Sequence, residues 1–123
     1  MILVDTSVWV DHFRETDPRL GALVDDERLL MHPFVLGELA LGTLRQRGTI
    51  LRSLARLPRA TRASDDEVLG LIERHALPGS GIGYVDAHLV ASVRLISGAR
   101  LWTHDKRLHA VAARLSIAAP MMH

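Results

Sequence analysis

The tightest constraint in this chain is its opening stretch. Ile2, Leu3 and Val4 are apolar in succession, and Asp5 stops the run at once. A short run that is apolar on both faces reads as a strand covered on both sides, the condition of a parallel sheet held between helices. Beyond Asp5 the chain turns helical: Thr6 or Ser7 can cap a helix through about residue 13. Capping is the ordinary use of an acid after a strand. With two hydroxyl residues next in line, Asp5 is spare for other work.

The alternation continues along the chain. Pro18 suits the first turn of a helix through about Asp25. Residues 29–32 read as a second strand. Pro33 opens a helix over 34–41 that Gly42 interrupts, and 43–56 reads as helix again. Residues 58–61 are a short strand or a loop. Ser64 with Glu67 three positions on is a capping box, starting a helix to about His75. A loop over 78–81 leads to a strongly apolar helix over 84–97, ending near Gly98. A strand at 100–103, a helix at 106–114 and a last strand at 117–119 complete the pattern. Strand–helix alternation in 123 residues predicts one α/β domain over 1–123, with a short parallel sheet between helix layers. Ligands of such sheets bind at the carboxyl ends of the strands, where Asp5 and Asp105 fall.

Composition removes several classes of function. Hydrophobic residues make up 48% and charged residues 24%, a globular balance. No apolar run approaches the length of a membrane span. No basic segment precedes the short run at residues 2–4, so an export signal is not expected and the cytoplasm is the expected compartment. The absence of Cys excludes disulfides and thiolate zinc sites. Net charge is only +1, but it is unevenly spread. Between Leu39 and Ser64 there are six arginines and no acid, so the remainder of the chain is net acidic. The planar guanidinium suits phosphate oxygens, and this stretch is either a solvated helix face or a contact for phosphate.

Four carboxylates stand in awkward places. Asp5 and Asp105 follow strands. Glu38 has Phe34, Val35 and Leu41 at helical spacing, which puts it on an apolar face. Asp86 has Leu89, Val90 and Val93 at helical spacing, a second acid on an apolar stripe. Each has an ordinary explanation: a cap for Asp5 and Asp105, a buried Arg partner for Glu38, a first-turn acid for Asp86. Taken together they repel one another unless a cation compensates. Mg²⁺ or Mn²⁺ prefers oxygen ligands and suits such a set. A hard cation held by acids activates water and stabilises the leaving oxygen in phosphodiester hydrolysis. Other constellations are weaker. There is no Walker loop, GxGxxG or HExxH. Ser7 has no evident His and Asp partners for a triad, Trp9 and Trp102 read as core, and the glycine-rich 79–83 stretch reads as a flexible turn that lets substrate approach Asp86.

These residues resemble a known family. VDTSVWVDHF, PFVLGELALG, GIGYVDAHLVAS and LWTHDKRL, in that order, are similar to the four motifs of PIN-domain ribonucleases, and more narrowly to those of the VapC toxins of bacterial toxin–antitoxin pairs. The resemblance spans residues 2 to about 108. It implies a three-layer α/β/α fold and an Mg²⁺-dependent endoribonuclease. It makes Asp5, Glu38, Asp86 and Asp105 the acidic quartet, with Asp5 and Asp86 at the metal-holding positions. Asp105 would support the metal shell or position water. Glu38 would complete the site and serve as a candidate general base. Ser7 and Thr103 match supporting hydroxyl positions. The resemblance further implies a homodimer and a VapB-type antitoxin whose C-terminal segment covers the site. Residues 45–63 match none of the motifs, and their Arg45, Arg47 and Arg52 are candidates for contact with RNA. The competing expectation is a PIN-like fold kept only for binding protein or RNA.

Overall fold

The computed structural model describes residues 1–120; residues 121–123, the tail of the expected domain, lie outside the described residues. β1 (Ile2–Val4) is buried along its whole length. The reason is its position. Among the described residues the sheet has the order β2-β1-β3, with β2 at Leu29–Leu30 and β3 at Arg100–Trp102. Both pairings are parallel: Ile2 and Leu3 lie opposite Leu29 and Leu30, and Ile2 to Val4 lie opposite Arg100 to Trp102. A central strand with neighbours on both edges and helices on both faces has no polar side, which is why it needs three apolar residues in a row.

The outer expected strands shrink to single bridges. Met31 pairs with Arg59 and Leu101 with Ala118, both parallel. The second strand, expected over 29–32, stops at Leu30 because His32 leaves the sheet to cap the next helix.

Seven helices are present among the described residues: α1 (Thr6–Arg14), α2 (Pro18–Asp25), α3 (Pro33–Leu41), α4 (Arg47–Ala55), α5 (Asp65–Arg74), α6 (Tyr84–Leu95) and α7 (Lys106–Arg114). With the sheet they form a three-layer α/β/α fold. Helix α1 packs on α3, α3 on α4, α5 on α6, and α6 on β3. The capping box forms as expected: Glu67 N–H donates to Ser64 Oγ at 3.0 Å and Ser64 N–H to Glu67 Oε1 at 2.9 Å. Helix α4 begins at Arg47, not at 43. Residues 43–46 are spent turning the chain after α3, and Gln46 takes a left-handed conformation at φ 50° that no helix interior accepts. Helix α6 ends at Leu95, with Ile96 extended beyond it. Every residue from Ala87 to Val93 in α6 is buried, so this helix runs through the interior, and Asp86 stands where it emerges. Among the described residues no helix is long and apolar enough to cross a membrane.

A candidate acidic site at the carboxyl end of the sheet

Asp5 is the first residue beyond β1. Its N–H donates to the Trp102 carbonyl at 2.9 Å, which fastens it to the end of β3. It occupies the N-cap position of α1, yet its carboxylate makes no capping bond. The expectation that Thr6 or Ser7 would cap is corrected, since both lie inside the helix. Their hydroxyls turn to the acids instead. Ser7 Oγ donates to Asp5 Oδ2 at 2.7 Å, and Thr103 Oγ1 donates to the same oxygen at 2.8 Å. Thr103 Oγ1 also accepts the Asp105 N–H at 3.0 Å, and Ser7 Oγ accepts the His104 N–H at 3.0 Å. The two expected supporting hydroxyls thus tie α1 to the β3–α7 turn around Asp5, which is only 6% exposed.

Asp105 is both a cap and a member of this group. Its Oδ1 accepts the Leu108 N–H at 2.9 Å, fixing the first turn of α7. Asp86 is half-buried, and its Oδ2 accepts the Gly83 N–H at 3.1 Å, which orients it at the start of α6. Glu38 departs from expectation. It is exposed, not on a buried face, because α3 is apolar nearly all round and apolar neighbours do not mark its inner side. Leu41, one of those neighbours, is itself 90% exposed. Glu38 reaches the site over the surface, where Thr6 Oγ1 donates to its Oε1 at 2.6 Å.

The electrostatics join all four. Burial pushes the Asp86 carboxyl above its ordinary value. The Gly83 N–H opposes that shift, and the charges of Asp5, Asp105 and Glu38 add to it. One pattern recurs in their bonding. In each carboxylate one oxygen is anchored by a protein hydrogen bond and the other accepts none, and among the described residues none of the four is ion-paired. The buried Arg partner for Glu38 is therefore not found. Among the described residues no three His, Asp or Glu side chains stand close enough to enclose a cation as they are placed. The donor set nonetheless suits a hard divalent ion: carboxylate oxygens only, with one in each group free of protein hydrogen bonds among the described residues.

The candidate arginines separate. Arg45 lines a cleft of about 700 Å³ together with Glu38, Arg14, Phe13 and Leu39. Arg47 donates to the Ala40 carbonyl at 2.6 Å and so closes the end of α3. Arg52 lies against Gly48 and Thr49 on its own helix. Only Arg45 shares a surface with a member of the quartet. Two contributions are not legible in the sequence: Thr6 as the partner of Glu38, and the side-chain contact between His104 and Asp11 beside Ser7. Both join residues far apart in the chain, and no local spacing signals them. The pair does not make Ser7 a hydrolase nucleophile, because the imidazole addresses Asp11 and only the His104 backbone touches Ser7. Trp9 and Trp102 are core, as expected.

Comparison with known proteins agrees with this fold. The family model described as PIN domain matches residues 2–114. The chain is 51% identical over 118 residues to Ribonuclease VapC32 in two strains of Mycobacterium tuberculosis, covering 96% of this chain and 95% of the relative.

Proposed function

The chain belongs to the VapC-type branch of the PIN-domain family, and from that membership we propose that it is an Mg²⁺-dependent endoribonuclease, the toxin of a type II toxin–antitoxin pair. The observation that carries the reading is the bonding of the quartet. Four acids from four elements each anchor one oxygen, present the other, and lack a cationic partner among the described residues. A fold kept only for binding has no physical need for such an arrangement, which costs stability through repulsion.

Asp5 and Asp86 would hold Mg²⁺, with Mn²⁺ as a substitute, and Asp105 would support them. Bound there, the cation supplies positive charge to the attacking and departing oxygens of a phosphodiester. The chain's own residues do the rest. Ser7 and Thr103 hold Asp5 by a single oxygen, so its orientation is set before substrate arrives. Thr103 sets Asp105 through the backbone N–H of that residue. Glu38, exposed and steered by Thr6, accepts the proton of the attacking water. The new P–O bond forms as the P–O3′ bond breaks, leaving a 5′-phosphate and a 3′-hydroxyl that takes its proton from solvent. A small VapB-type antitoxin covering the acids, assembly as a homodimer and action in the cytoplasm complete the proposal.

The test incubates wild type and Asp86→Asn with total RNA, in Mg²⁺ and in EDTA. Cleavage by the wild type with metal, and in no other lane, is the expected result. An Asp86→Asn protein that cuts at the wild-type rate would overturn the assignment.

A further inference from the structure

A second surface lies beside the acids and has no part in the quartet. Between α7 and the 78–81 loop runs a groove of about 530 Å³, lined by Lys106, Arg107 and Arg114 together with Pro78, Gly79 and Ser80. No acid lines it, although the chain as a whole is near neutral. Among the described residues none of the three cations forms an ion pair. The groove begins at Lys106, next to Asp105, and its other wall is the loop that leads to Gly83, the residue that orients Asp86.

Two features show that this placement is not incidental. Lys106 and Arg107 occupy the first turn of α7, where the helix dipole disfavours cations, and the acid at that end is the cap residue Asp105. Cations in a first turn do not serve helix stability, so their place there is accounted for by what they face across the groove. The loop is also shaped to receive one of these side chains. A Cβ at Gly81 would stand 2.6 Å from Arg107 Cδ, so the bare backbone of residue 81 leaves room for Arg107 where it now lies. Arg114 is one of several cations around His75: after burial, the charges of Arg94, Arg74 and Arg114 hold that residue below its ordinary value.

We infer that this groove is a binding track for the phosphate backbone of single-stranded RNA, holding the strand as it leaves the acidic site. The inference rests on the endoribonuclease reading and adds to it where the substrate lies. The charge chemistry favours a polyanion with regularly spaced charges. Single strands bind along positively charged grooves that track their backbone. Of the sequence-based candidates, Arg47 is occupied at the end of α3, Arg52 on its own helix, and Arg45 lines the cleft beside Glu38, while α7 brings positive charge next to Asp105 and to the loop that orients Asp86.

The test measures binding, not cleavage, so that it stands apart from catalysis. In an Asp86→Asn background with Mg²⁺, a fluorescent single-stranded RNA is titrated at several salt concentrations. Lys106→Gln, Arg107→Gln and Arg114→Gln combined should weaken binding at least tenfold. They should also flatten the dependence of log affinity on log salt by about 2, the loss expected for three phosphate contacts on a single strand. Lys106→Glu, scored separately, should weaken RNA binding while raising the melting temperature slightly, because an acid suits that turn. A purely structural role predicts a fall in both. Unchanged affinity and salt slope in the triple variant would overturn the inference and leave the groove to another ligand, such as an acidic protein segment. Failure of the parent protein to bind RNA would remove both the groove assignment and the RNA reading. RNA binding by the parent protein that the triple variant leaves unchanged would remove the groove assignment alone.

Discussion

Asp86 carries an unfavourable charge before any ligand is considered. Its folded value lies above its ordinary 3.8, through burial first and the other three acids in addition. Between the ordinary and the raised value the folded protein binds more protons than the unfolded chain. Stability from this group is therefore full below the ordinary carboxylate range and is lost as pH rises through the raised value. Without metal, the wild type should lose stability relative to Asp86→Asn as pH rises past about 4. Urea unfolding at a series of pH values reads this directly, and parallel curves for the two proteins would contradict it. Thr103 is the complementary case, since it gives one bond and takes one. Thr103→Val leaves the Asp105 N–H without its partner and Asp5 with one hydroxyl donor in place of two. A loss of about 1–3 kcal/mol in unfolding free energy is expected, the cost of an unsatisfied buried group. Cleavage should fall as well, and Thr103→Ser should restore part of both.

At the scale of elements, α3 shows how a polar group in the core can set a pH limit. His32 is fully buried and caps α3 through Nδ1, which accepts the Phe34 N–H at 3.0 Å and must be unprotonated to do so. Burial, then the charges of His88 and Arg62, lowers its value from 6.5 to about 4. Between those values the unfolded chain binds more protons, so this contribution is full above 6.5 and is lost as pH falls toward 4. The full span is worth roughly 3 kcal/mol. His32→Asn keeps an N-cap acceptor and should flatten the acid side of the stability profile. His88, also buried and held below its ordinary value chiefly by burial, leaves a residual slope. An unchanged acid limb in that variant would show that the cap does not depend on a neutral imidazole. Elements also mark what is legible in the sequence. Capping chemistry is local, so Ser64 with Glu67, and Pro18 and Pro33 as helix openers, are found where spacing puts them. The start of α4 is not local: it depends on how α3 ends and on a left-handed Gln46. Apolar spacing puts Glu38 beside the right acids for the wrong reason, because a helix apolar nearly all round gives no stripe to read.

For the molecule as a whole, topology does what sequence spacing cannot. Parallel strands bring Asp5 and Asp105, a hundred residues apart, to one end of the sheet. Strand ends are readable as site positions because every parallel strand points its carboxyl end the same way. The α7 groove is not readable: Lys106 and Arg107 look like an ordinary surface pair, and only the fold sets Arg114 and the 78–81 loop around them. On the proposed reading, the same convergence would make the folded state a better cation binder than the unfolded chain, in which the four acids are dispersed. Mg²⁺ or Mn²⁺ should therefore raise the melting temperature, with about 2.7 kcal/mol of added stability at a hundredfold excess over Kd. In a domain of this size that is a rise of several degrees. The rise should be larger near neutral pH, where the quartet repels, than near pH 4, where protons do part of the cation's work. Asp86→Asn should start from a higher metal-free melting temperature and gain much less from metal. Equal shifts in the two proteins would place cation binding away from the quartet, and the absence of any shift in the wild type would favour a PIN fold that binds without cutting.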